Sequence, residues 1–152
     1  MARTPRGRLA LVVALDQFSR SVWAGTPRAF AQDPKAVALV REGLANGHYH
    51  ALDSPWEKTF CIIALCHCEG PDHLERLDLA VELARAVRDE APPYLDPMYE
   101  FNAQQPVLQR QVIAAFGRYP HRNRVLGRES TPEERIYLER AEFPHEREIR
   151  FA

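Results

Sequence analysis

Histidine, carboxylate and arginine side chains gather in three short segments of the chain, a combination suited to acid–base chemistry or to gripping an anion. The first segment is Asp16-Gln17-Phe18-Ser19-Arg20, and the second is His67-Cys68-Glu69. The third is FGRYPHRNRVLGRESTPEE, residues 116–134, which carries Arg118, His121, Arg122, Asn123 and Arg128. No Asp or Glu occurs from Phe101 to Arg128, so the third segment lacks a local counter-charge. Guanidinium forks hold carboxylate and phosphate oxygens in bidentate pairs, which suits that corner to a small anionic ligand. His67 and His121 are the candidate general acid or base, with Asp16 or Glu69 setting the tautomer. Helical H-x-x-x-H and E-x-x-H spacings are lacking, so neither a metal nor another cofactor is expected.

Each of these groups also has a purely structural role open to it. His67 suits a hydrogen-bonded core histidine. Asp16 and Arg20, four residues apart, suit an internal ion pair along a helix face. Arg118, His121, Arg122 and Asn123 suit capping at a helix corner. Cys61, Cys66 and Cys68 fall in a C-x4-C-x-C pattern that matches neither a disulfide framework nor a zinc site, and free cysteines pack as small apolar residues. Reduced thiols of this kind imply a cytoplasmic protein.

The charge balance narrows the partners. The formal net charge of −1 and the lack of a recognition motif argue against nucleic acid, although arginine outnumbers lysine 18 to 2. No apolar run approaches the ~18 residues that span a bilayer, so no membrane partner is expected.

Positioning these groups falls to helices whose starts are written in the sequence. Thr4-Pro5, Thr26-Pro27, Asp33-Pro34, Ser54-Pro55 and Thr131-Pro132 each place a capping residue before proline. Ser54 with Glu57, and Thr131 with Glu134, have capping-box spacing. Gly47 and Gly117 mark helix ends. Apolar residues recur at helical spacing in four stripes: Val37-Val40-Leu44, Trp56-Phe60-Ile63, Leu74-Leu77-Val81-Ala84 and Phe101-Leu108-Val112-Ala115. The pattern predicts an all-α chain with helices near 6–20, 34–46, 55–68, 72–90, 98–116 and 132–141, the fifth bent or interrupted at Pro106. Short links between them favour stacked antiparallel hairpins in one helical domain, a divergent tetratricopeptide-like array. His67 extends the Trp56-Phe60-Ile63 stripe, and Phe18, Trp23, Phe30 and Tyr119 are expected as core anchors.

The run Leu9–Leu15 (LALVVAL) is apolar on every side, which predicts a fully buried first helix. Its cover would come from the later helices, from a preceding segment, or from a partner or second copy. The corners at Asp16–Pro27 and Gly117–Pro132 share a plan: an aromatic, then Arg with Ser or Asn, two apolar residues, a glycine and Thr-Pro. That plan predicts that they meet, with Asp16 serving the arginines of the second corner.

The Leu15–Arg20 corner, the His67–Glu69 helix end and the Gly117–Glu134 corner, in that order, resemble the bacterial domain-of-unknown-function family numbered 924. The resemblance runs over nearly the whole chain and implies a tetratricopeptide-like helical fold, with no established activity. Carried over by position, its motif residues are Asp16, Gln17, Phe18, Arg20, His67, Glu69, Arg118, Pro120, His121, Arg122, Asn123, Gly127, Arg128, Glu129 and Ser130. Ser19-Arg20-Ser21 stands where the family has Pro-Arg-Asn, and Cys68 stands where it has Ser. The resemblance also implies an additional N-terminal helical segment in relatives, so this chain would be a shortened form.

These residues support three functional readings. The motifs converge on a pocket for a small anionic ligand or a partner peptide; they run acid–base chemistry; or they are architectural, with Asp16 locking the first and last helices together.

Overall fold

The computed structural model describes residues 2–140 and 143–147, and within them every regular element is helical. Helix α1 spans Pro5–Val13 and runs through a π-helical turn, Ala14–Phe18, into the short α2, Ser19–Val22. Then come α3 (Asp33–Ala45), α4 (Pro55–His67), α5 (His73–Glu90), α6 (Asp96–Phe116) and α7 (Pro132–Arg140). Position 141 of the expected last helix lies outside the described residues. No helix among the described residues is long and apolar enough to cross a membrane.

The helix starts obey the capping chemistry at most of the expected places. Thr4 Oγ1 accepts from the Gly7 amide at 3.1 Å. Ser54 and Glu57 close a reciprocal box, as do Thr131 and Glu134, whose two bonds measure 3.2 and 2.9 Å. Thr26-Pro27 instead opens only a 3₁₀ turn. Asp33 is itself the first residue of α3, and its carboxylate faces arginines from distant segments. Gly117 ends α6 at φ 70°, where a side chain would be strained. Helix α6 is not interrupted at Pro106. The missing proline N–H leaves the Asn102 carbonyl without its usual helix donor.

Helices α3, α4, α5 and α6 each pack on their chain neighbours, and α1 lies across α3 and α4. Val40, Leu65, Leu77, Ala80 and Ile113 form the dry centre. The first helix differs from expectation: Arg8 and Val12 are its only buried residues, Leu9, Leu11 and Val13 are half-buried, and Ala10 is exposed. Among the described residues, helices α3 and α4 pack against one side of it. Phe18 and Trp23 are likewise not core anchors, being 63% and 37% exposed.

The Trp56-Phe60-Ile63 stripe also has a different role. The buried residues of α4 are Thr59, Cys61, Ile62, Ala64, Leu65 and Cys66, while Trp56 is exposed and Ile63 is half-buried. Apolar spacing alone could not separate the two faces, because α4 is apolar nearly all round. All of the cysteines are buried and free, and burial pushes the Cys61 thiol up to about 12.

The third segment is tied down by Glu134, 2% exposed, which accepts from Arg118 Nε and Nη2 at 2.7 and 2.9 Å and from Asn123 Nδ2 at 3.0 Å. The hydrogen bond from Arg118 holds the Glu134 pKa down at about 2. The stabilisation is therefore present above the ordinary glutamate range and is lost as pH falls through about 2. Glu134→Ala leaves charged donors unpaired and is expected to cost about 2–3 kcal/mol in urea unfolding at pH 7; an unchanged midpoint would show that the corner does not depend on this carboxylate.

Candidate functional site

The last carbonyls of α4 have no partners within the helix, as at any helix C-terminus, and side chains from other segments supply them. Arg76 Nη1 donates to the Leu65 carbonyl at 2.9 Å. His73 Nε2 and Tyr119 Oη both reach the Cys66 carbonyl, at 2.8 and 2.7 Å. Arg122 Nη1 donates to the His67 carbonyl at 2.8 Å. Cationic donors here also complement the negative end of the helix dipole. This arrangement fixes the backbone of His67.

The His67 side chain is fixed from the opposite direction. Its Nδ1 lies 2.9 and 3.1 Å from the two carboxylate oxygens of Asp16, which is 1% exposed. The π-helical turn turns Asp16 inward, a use of π-bulges common at functional positions. A carboxylate can only accept, so Nδ1 carries the proton and Nε2 keeps its lone pair. Burial holds His67 below the ordinary histidine range, against the pull of Asp16, so it is neutral at pH 7. Burial raises the Asp16 pKa, but the hydrogen bond from His67 and the nearby Arg20 outweigh it and keep the carboxylate ionised.

Asp33, which reads in the sequence only as a helix cap, completes the inner cluster. Arg20 forks onto both Asp33 oxygens at 2.9 Å each and also lies 3.0 Å from Asp16. Arg122 lies 3.7 Å from Asp33, too far for a hydrogen bond. Its guanidinium sits between the rings of Phe30 and Tyr119, 4.4 and 4.6 Å from their centroids. Arg122 is 5% exposed, and its Nε has no partner among the described residues. The two corners thus do come together, through Asp33 between Arg20 and Arg122, whereas Asp16 serves His67 and Arg20.

The remaining candidates form an outer cluster. Arg128 pairs with Glu69 and donates to the Asn123 side chain and the Tyr119 carbonyl, both at 3.0 Å. Glu69 also accepts from the Tyr119 amide at 2.6 Å. Asn123 bridges Ser130 and Glu134, and Arg118 is held by Glu134. Their polar atoms are thus engaged within the protein. His121 stands apart, its ring 4.0 Å from that of His145 by centroid and its Nδ1 buried without a partner among the described residues.

Two cavities flank His67. One, of about 310 Å³, lies between α4, α5 and α6, and is lined by Ile62, Ile63, Ala84, Val87, Phe101 and Pro106, with Gln17, Asn102 and Gln105. The other, of about 350 Å³, is lined by Arg20, Phe30, Tyr119, His121, Arg122, Val125 and Tyr137. His67, Gln109, Pro144 and His145 line both. Gln105 Oε1, Gln109 Oε1 and Tyr137 Oη are buried without hydrogen-bond partners among the described residues. Residue type and motif spacing do not single out Gln105, Gln109, Tyr137 or His145. Their one available signal was position, since Gln105 and Gln109 are i, i+4 and flank the mid-helix proline. Among the described residues no three His, Cys, Asp or Glu side chains cluster as a metal site.

The all-α architecture and the three interlocked motif segments define a class of helical proteins with a shared family model. Residues 1–142 match the model described as "Bacterial protein of unknown function (DUF924)", and the chain belongs to that family. It is similar to a solved structure, a protein of unknown function, ATU0120, from Agrobacterium tumefaciens. The two are 32% identical with a TM-score of 0.74, over 92% of this chain and 71% of that one. No curated protein matches the chain.

Burial fixes the pH response of this region. It pushes His73 down to about 4, and burial with the neighbouring His145 and Arg122 charges pushes His121 down to about 3. In the unfolded chain both take up protons near pH 6.5, so the folded state binds fewer protons below that pH. Stability is therefore full above about pH 6.5 and declines as pH falls toward 4. Thermal melts between pH 7 and 4.5 should show a falling midpoint, with a shallower slope in His121→Gln; a flat wild-type profile contradicts this.

Proposed function

We propose that the paired cavities bind a small amphipathic anion, its carboxylate or similar group near Arg122 and its apolar part between α4, α5 and α6. The observation that carries this reading is Arg122: a guanidinium 5% exposed, lining a cavity, with a buried Nε left without an acceptor among the described residues. An unsatisfied buried donor of this kind is costly, and an anionic oxygen would relieve it. Its positive charge is imperfectly met, since Arg20 takes both oxygens of Asp33. The apolar wall of the other cavity sets the second half of the ligand, and a volume near 310 Å³ is at the small end for organic ligands.

The test is calorimetric titration with 4-(hexyloxy)benzoate. Wild type should bind, and Arg122→Ala should lose affinity by roughly 10-fold or more, the range for a buried charge-assisted pair. The methyl ester of the same compound should bind more weakly. An anion beside His67 and His145 raises their pKa, so binding favours proton uptake. Affinity should therefore increase as pH falls from 7 to 5.5 while the benzoate stays ionised. Equal affinity for acid and ester, with Arg122→Ala simply unfolding at lower temperature, would assign Arg122 to architecture instead.

A further inference from the structure

The position of His67 between the two cavities supports a catalytic role that depends on the proposed ligand binding. We propose that Asp16 and His67 form a general-base dyad that hydrolyses a carboxylic ester, joining an apolar acyl group to a short anion-bearing alcohol or phenol. The acyl group would lie against Ile63, Val87 and Phe101, and the anion near Arg122. The linking ester bond then falls at the residues common to both cavities, His67, Gln109, Pro144 and His145.

The geometry is that of a base held ready. Asp16 accepts the Nδ1–H bond at 2.9 Å, Arg122 anchors the His67 carbonyl at 2.8 Å, and α4 packing fixes the ring between them. Nε2 has no protein partner among the described residues, and 19% of the His67 side chain remains exposed. A structural core histidine needs only one of these supports, and its second nitrogen is usually satisfied as well.

The step balances without a further reagent. His67 Nε2 removes a proton from water as the water oxygen adds to the acyl carbon. The electron pair of the C=O bond moves onto oxygen, and the Gln109 side-chain amide is the donor on that wall for the resulting oxyanion. The oxyanion collapses, the C–O bond to the alcohol breaks, and the Nε2 proton passes to the leaving oxygen. The products are a carboxylic acid and an alcohol, and His67 returns to neutral. Asp16 is a positioning residue, since it acts only through the ring.

The probe is 4-carboxyphenyl hexanoate, monitored by release of 4-hydroxybenzoate, beside binding of the non-hydrolysable ether 4-(hexyloxy)benzoate. Saturable turnover is expected, with kcat/KM rising with pH through one ionisation of the free protein below the ordinary histidine range and level above it. His67→Gln should lower kcat by ~10²-fold or more while the ether still binds. Asp16→Asn should lower kcat with little change in KM, because the amide can steer the ring to the wrong tautomer. Ether binding without ester turnover in wild type overturns the hydrolytic inference and leaves the binding reading standing. Absence of both overturns the two together. Turnover unchanged in His67→Gln also overturns the dyad.

Discussion

The open carbonyl end of α4 is the constraint around which this protein is organised. A helix that ends without a capping glycine leaves backbone acceptors bare, and here they point into the interior. Arg76 and His73 from α5, and Tyr119 and Arg122 from the turn after α6, close that end. These bonds tie two separate parts of the chain to the same point. The helix end therefore positions the loops instead of being positioned by them, and His67, the final residue of α4, inherits the rigidity.

Charge is set by that geometry. Driving Arg76 and Arg122 into the interior requires carboxylates beside them, and the chain supplies them from separate places. Asp72 meets Arg76, Asp33 stands between Arg20 and Arg122, Glu69 meets Arg128, and Glu134 meets Arg118. The arginine corner that looks unopposed in sequence is largely neutralised in the fold. Among the described residues, what is left at the cavities is local: Arg122 Nε and His67 Nε2 lack protein partners, as do His121 Nδ1, Gln105 Oε1, Gln109 Oε1 and Tyr137 Oη.

Much of the secondary structure was legible in the sequence because capping is local chemistry. Thr-Pro and Ser-Pro pairs, capping-box glutamates and Gly117 act over a few residues, and the structure keeps most of them. The departures have a common cause. LALVVAL and the α4 stripe are apolar on more sides than one, so periodicity could not say which side faces the core. The π-helical turn at Ala14–Phe18 has no signature in residue type. At Pro106 the helix continues, although proline removes one helix hydrogen bond there. Asp33 reads as a cap because Asp before Pro so often is one, and only its neighbours in space reveal the ion pair.

Sequence by itself determined the helical class, the places where helices begin, the family, and the three segments in which polar chemistry is concentrated. Only the tertiary structure decided how those segments divide their partners. Asp16 goes to His67 and not to the arginine corner, Asp33 joins the two corners, and Gln105, Gln109, Tyr137 and His145 complete the cavities. The reason is physical. Capping bonds close within one helical turn and so leave a mark in residue spacing. Asp16 and His67 stand 51 positions apart, and the Arg122 contact with the His67 carbonyl spans 55. At such separations the partner is chosen by which helix end needs a donor and which carboxylate is within reach, and neither is written in residue order.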